Sequence, residues 1–177
     1  MPNKKKVLFL LGSTKAHSVN KQIIEYIKHQ LEIDFDAEIY KSIDQLPYFN
    51  PDIDTDDVPE SVSHFRRAIE KADGVIICTP EYVFSLPGIL KNAIEWLVST
   101  TIYTNKPTAL ITASSSGAKA HESLNLVMKT IGAVIGEHSS ILISGVKSKM
   151  NAQGEIKDAN TQRMINELIT NFKEKMN

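Results

Sequence analysis

"VLFLLGSTKAHSVNKQIIEYIKHQL", residues 7–31, passes within one peptide bond from solid apolar to small and polar, and then takes up a helical pattern. The run at 7–11 has no polar member, as expected of a strand covered on both faces. Ser18 is a good N-cap, and Val19, Ile23, Ile24, Ile27 and Leu31 follow at helical spacing. Between strand and helix lie Gly12, Ser13 and Thr14, small hydrogen-bonding groups at the end of a core strand. That placement points to an anion held there.

The unit strand, polar loop, helix recurs along the chain. Strand patterns lie at 7–11, 37–43, 74–78, 108–112 and 140–143. Helical stripes follow them, the strongest being Leu86, Ile89, Leu90, Ala93, Ile94 and Leu97. A stretch rich in Pro, Asp and Asn at 45–60 reads as loop. Five strands alternating with five helices predict an α/β fold, a doubly wound five-stranded parallel sheet with helices on both faces and right-handed crossovers. The 177 residues are long enough to bury a core as one domain, 1–177. Ligands of such sheets bind at the carboxyl ends of the strands, where strand order reverses. The loops 12–18, 79–86 and 113–119 are therefore the candidate site.

Composition narrows the function classes. A net charge of −1 gives no overall field to recruit nucleic acid or an anionic membrane, so neither is an expected partner. Lys4, Lys5 and Lys6 form the one basic run and read as a solvated flank. A single cysteine allows no disulfide within the chain, which suits a reducing cytoplasm. The sequence shows no signal-peptide pattern and no run of transmembrane length.

The first loop lacks the glycines of a nucleotide P-loop and of the dinucleotide fingerprint. Ser13, Thr14, Lys15, Ser18 and Asn20 at a helix N-terminus still suit a phosphate, through backbone N–H groups, hydroxyls and the helix dipole. The plain alternative is a helix cap with turn residues. In the second loop, "TPEYVFSLPG" at 79–88, Pro80 and Pro87 hold the chain extended. A stiff backbone carrying Tyr82 and Phe84 suits a flat heterocycle, although such aromatics also pack on a core or a partner chain. The third loop, with Ser114, Ser115, Ser116 and Gly117, permits close approach of a bulky ligand, or is a generic turn.

Taken together, these residues resemble the NADPH-dependent FMN reductases, the flavodoxin-like group that includes azo, quinone and chromate reductases. The likeness covers roughly residues 6–145. It rests on Gly12-Ser13-Thr14-Lys15-Ala16-His17-Ser18-Val19-Asn20, and more firmly on "ADGVIICTPEYVFSLPGILKNAIEWL" at 72–97. The resemblance implies a flavodoxin-like fold, FMN as cofactor, NAD(P)H as co-substrate, a small-molecule acceptor, and a homodimer or homotetramer. It implies that Ser13, Lys15, Ser18, Val19 and Asn20 hold the FMN phosphate. Pro80, Glu81, Tyr82 and Val83 would run beside the isoalloxazine, largely through backbone, and Ser114, Ser115, Ser116 and Gly117 would line its other edge. The chain departs from the family pattern in three places. Lys15 replaces an Arg, giving a point charge in place of a bidentate fork. Val83 replaces an Asn near the flavin, and the serines at 114–116 replace a Gly-Gly pair. Tyr82, Phe84 and the helix carrying Leu90, Ile94 and Trp96 are the candidate exposed contacts for a partner chain.

Other residues carry plainer expectations. Cys78 reads as a buried small hydrophobe and Trp96 as a packing residue. His121 reads as a solvated helix position, and the acidic stretch 52–57 as a solvated segment. The five histidines have no metal-ligand spacing, so no metal is expected. The competing function class is a flavodoxin-type electron carrier that binds FMN without oxidising NAD(P)H, although such carriers are strongly acidic. A receiver domain needs an acceptor Asp where this chain has Cys78-Thr79-Pro80, and is rejected. No side chain is assigned as a catalytic acid or base, because hydride chemistry belongs to the cofactor.

Overall fold

A computed structural model describes residues 4–151 and 153–176. The strands are β1 (Lys6–Leu11), β2 (Asp36–Ile39), β3 (Gly74–Thr79), β4 (Pro107–Ser114) and β5 (Val134–Ser144). The helices are α1 (Val19–Leu31), α2 (Glu60–Lys71), α3 (Gly88–Glu95), α4 (Ala118–Thr130) and α5 (Ala159–Met176). The sheet has the order β2-β1-β3-β4-β5 with every pairing parallel. Strand order reverses between β1 and β3, and the loops after these two strands face one another at that point. This is the flavodoxin-like arrangement that the alternation of elements implies. No described helix is long and apolar enough to cross a membrane.

The continuous apolar runs are explained by two cores. Val7 and Phe9 of β1, Ile76 and Cys78 of β3, and Ala109, Ile111 and Ala113 of β4 face α1 and α5. Their neighbours Leu8, Leu10, Val75, Ile77 and Leu110 face α2, α3 and α4. Each residue of β3 is buried, alternately on one side and the other.

Two strands differ from their sequence reading. β2 ends at Ile39 and not at 43, although the Tyr40 N–H still reaches the Phe9 carbonyl at 2.9 Å. The chain then turns into a short 3₁₀ segment, Ile43–Gln45. β5 is an edge strand of 11 residues, where 140–143 alone is apolar enough to show a pattern. Thr108 pairs with Ile135 and Leu110 with Ser140, so residues 136–139 bulge out opposite Ala109, with His138 at φ +58°.

The loop after β2 is pinned down by α3. The Asn92 side chain accepts from the Phe49 N–H (2.7 Å) and donates to the Pro47 carbonyl (3.0 Å), which also accepts from Trp96 Nε1 (2.8 Å). Asn92 and Trp96 stand one helical turn apart, which explains their spacing in "KNAIEW". Leu90, Ile94 and Trp96 are buried in this core, which corrects their assignment to an exposed partner face. Asp54 is half-buried rather than solvated, its side chain covered and paired at 2.7 Å with Arg66, whose Nε donates to the Trp96 carbonyl.

Candidate active site

At the carboxyl edge of the sheet the three loops converge on a cavity of about 260 Å³. The first loop contributes Ser13, Lys15, Ser18, Val19 and Asn20. Pro80, Glu81 and Tyr82 come from the second, and Ser114 and Ser115 from the third. His17, Ala113, Val146 and Lys147 line it as well. Val146 and Lys147 sit just beyond the carboxyl end of β5, a fourth strand end that the sequence reading passed over. Val83, Ser116 and Gly117 do not line the cavity.

Ser18 has extended backbone (φ −100°, ψ 145°), and its hydroxyl accepts from the Lys21 N–H at 3.1 Å, so it caps α1. Helix geometry leaves the Val19 and Asn20 N–H groups without an intrahelical acceptor. Both residues line the cavity. Ser13 Oγ accepts from the Lys15 N–H at 3.3 Å. Two open amides, the hydroxyls of Ser13 and Ser18 and the Lys15 ammonium form a donor set suited to a phosphate monoester.

Asn20 plays a different part from the one implied by its place in the motif. Its Nδ2 donates to the Ala113 carbonyl (3.1 Å), and its Oδ1 accepts from Cys78 Sγ (3.2 Å). The side chain thus ties α1 to β3 and β4 beneath the site, so that only the backbone N–H of Asn20 is left over at the cavity. Burial pushes the Cys78 thiol well above its ordinary range, so it is not a nucleophile.

The wall formed by residues 80–82 ends in a tight hairpin. Tyr82 and Ser85 exchange N–H···O=C bonds, each 3.0 Å, around Val83 (φ +51°) and Phe84 (φ +55°). Two left-handed residues in succession make a type I′ turn, for which Asn and Gly are suited and a β-branched residue is not. Val83 is 95% exposed at the hairpin tip and does not itself line the cavity, whereas the adjoining Tyr82 does. Val83→Asn therefore relieves strain without losing packing. A left-handed residue with a Cβ costs about 1–2 kcal/mol, and asparagine escapes only part of that through local hydrogen bonds, so the melting temperature should rise by roughly 1–4 °C. A thermal melt reads this directly, and a lower melting temperature would refute the strain.

The third loop is positioned by Glu81. Its Oε1 accepts from the Gly117 N–H (3.1 Å), and its Oε2 accepts from Lys119 and Ala120 (3.0 Å each). These bonds, that from Ala120 foremost, hold the carboxylate below its ordinary pKa. Gly117, the N-cap of α4 at φ +93°, has no side chain to do this itself. One turn further on, His121 is not solvated. Its Nδ1 lies 3.0 Å from Thr112 Oγ1 and its Nε2 lies 3.3 Å from Ser140 Oγ, and burial lowers its pKa.

The fold and this site together define a flavodoxin-like α/β protein with a phosphate-type donor set at the β1/β3 switch point. A family model described as NADPH-dependent FMN reductase matches residues 5–147, and the chain belongs to that family. It is an NAD(P)H-dependent FMN oxidoreductase rather than a plain electron carrier. The NADH:(hydroxy)cinnamate reductase subunit CrdA of Vibrio ruber is 30% identical over 171 residues, 93% of this chain and 84% of that protein. The 2-hydroxy-1,4-benzoquinone reductase of a Burkholderia species is 30% identical, covering 94% of this chain and 93% of its own. Among solved structures, FerB, a flavoenzyme NAD(P)H:(acceptor) oxidoreductase from Paracoccus denitrificans, superposes with a TM-score of 0.79 at 26% identity and covers 97% of both chains.

Proposed function

We propose that this chain, as one FMN-binding domain over residues 1–177, reduces a quinone, azo compound or similar small planar acceptor at the expense of NAD(P)H. The observation that carries this reading is the convergence of the phosphate-type donor set with the 80–82 wall on one cavity. Bound FMN supplies the redox chemistry, accepting a hydride from NAD(P)H and passing two electrons on. The chain's own residues bind and orient. The amides of Val19 and Asn20, with Ser13, Ser18 and Lys15, hold the phosphate. The backbone at 80–82 and Ser114 and Ser115 flank the ring, while Ser116 and Gly117 support that edge from behind. Lys147 adds a second ammonium to the lining. The benzoquinone reductase relative supports a quinone as acceptor.

We also infer a cytoplasmic homodimer or homotetramer. Tyr82 and Phe84 are 50% and 78% exposed beside the cavity, an apolar tip suited to cover by a partner chain. The lone cysteine fits a reducing compartment.

The purified protein should be yellow, carry one noncovalent FMN per chain, and bleach on addition of NADPH. With one open ring face, nicotinamide and acceptor must take turns, so double-reciprocal plots with a quinone should be parallel. Colourless protein that takes up no FMN would refute the cofactor assignment, and intersecting lines would refute the shared face. Light scattering on the same preparation reads the assembly; a fully active monomer at micromolar concentration would exclude it.

A further inference from the structure

The loop that bounds the flavin cavity borders a second one. Ser13 and Lys15 line both, but the second cavity opens toward the β2 edge of the sheet and is larger, about 490 Å³. That volume lies within the usual range of small-molecule sites, about 300–1,000 Å³. Leu11, Ile39 and Ile43 give it an apolar lining. Around them stand Lys15, Lys21 and Lys41, opposed by Glu25 and Asp44. Lys21 and Glu25 pair with one another at 3.9 Å. Among the described residues neither Lys15 nor Lys41 has a carboxylate within 4.0 Å, and both are exposed. The cavity therefore offers apolar surface beside the unpaired Lys41 ammonium, with Lys15 on the wall it shares with the FMN cavity.

A ligand matched to that chemistry has a flat, weakly polar body and a compact, multiply charged anion. A phosphorylated nucleoside has both, since its phosphate monoester carries about −1.5 to −2 charges at neutral pH. NADPH differs from NADH by one such group, the 2′-phosphate on its adenosine. In dinucleotide folds, whose glycine fingerprint this chain lacks, an acidic residue about 20 residues beyond the glycine turn selects a free ribose hydroxyl, whereas a cation nearby admits the 2′-phosphate. The same charge logic applies to any site for that group. Here the chain leaves β2 through Ile39, Tyr40 and Lys41.

We propose that this second cavity takes the phosphoadenosine end of NADPH, with Lys41 facing the 2′-phosphate, and thereby sets a preference for NADPH over NADH. The proposal rests on the reading of the adjoining cavity as the FMN site, which the nicotinamide end must reach. Lys41 acts on binding of the co-substrate, and Asp44 on the same rim opposes it.

The test is calorimetric titration of adenosine 2′,5′-bisphosphate into FMN-loaded protein, together with KM values for NADPH and NADH. Wild type should bind the bisphosphate. Lys41→Glu should weaken that binding and raise the NADPH KM by about tenfold or more, leaving the NADH KM unmoved. Asp44→Asn should shift both in the opposite direction. Absence of bisphosphate binding, or a Lys41→Glu effect equal for the two nicotinamides, would overturn the proposal. The visible spectrum of each variant reports FMN separately, so loss of the flavin would be seen as a failure of the neighbouring site rather than of this one.

Discussion

Gly12→Ala is expected to lower the melting temperature by roughly 2–12 °C and to strip the protein of FMN, because overpacking a filled position costs about 1–3 kcal/mol. A Cβ at this position would stand 2.3 Å from Thr79 Oγ1, 2.8 Å from Thr79 Cβ and 3.0 Å from Leu90 Cδ2. Neither partner has room to give way. Thr79 and Leu90 are fully buried, and the Thr79 hydroxyl donates to the Pro80 carbonyl at 3.1 Å. The Gly12 N–H donates to the Cys78 carbonyl at 2.9 Å, extending the β1/β3 pairing to the point where the two cavity loops diverge. A methyl group there pushes apart the 12–18 loop and the 80–82 wall together. Gly88→Ala is the matching control, since a Cβ at Gly88 meets nothing within 4 Å. Its melting temperature should be unchanged or slightly raised. If Gly12→Ala melts like Gly88→Ala and keeps its FMN, close approach is not the reason for glycine at position 12.

Contrasts such as that between Gly12 and Gly88 mark where the sequence was legible. The sheet could be read because burial on both faces leaves an unbroken apolar run, as in 74–78, and short helices betray themselves by stripe. The edge strand β5 could not be read to its full length, since its first half is polar and bulged. The three candidate loops were legible through the fold, since each follows a strand at the carboxyl edge of the sheet, and they do converge on one cavity. Side-chain direction was not. Asn20 sits within a phosphate-loop pattern, yet its amide is taken by Ala113 and Cys78, atoms 93 and 58 residues away. Leu90, Ile94 and Trp96 show an apolar stripe whether they meet a partner chain or the loop at 47–49; the periodicity is the same in both cases. Val83 stands next to Tyr82, which lines the cavity, but at the tip of the hairpin it does not line it itself. The two-residue turn that ejects it depends on backbone angles that valine itself disfavours, so no local signal announces it.

Glu81→Ala should cost activity by about a hundredfold, the scale on which a misplacement of some 1 Å acts at a reacting centre. Its carboxylate bridges the second and third loops, satisfying three N–H groups at the start of α4 that Gly117 cannot cap. Without it those amides open to water and the 114–117 edge loses its tie to the 80–82 wall. Hydrogen exchange should accelerate at Gly117, Lys119 and Ala120 while the β3 amides stay protected. Glu81→Gln should be intermediate, since a carboxamide keeps one acceptor oxygen and turns a donor toward amides that also donate. The two forms also separate by pH. The folded-state pKa of Glu81 lies below its unfolded value of about 4.3, so between the two the unfolded chain binds more protons. The contribution of Glu81 is thus complete above that unfolded value and drains away as pH falls through the folded one. The stability gap between wild type and Glu81→Gln should be widest near neutrality and close on acidification. A gap that does not change with pH, or unaltered exchange at the start of α4 in Glu81→Ala, would show that the carboxylate does not hold these loops together.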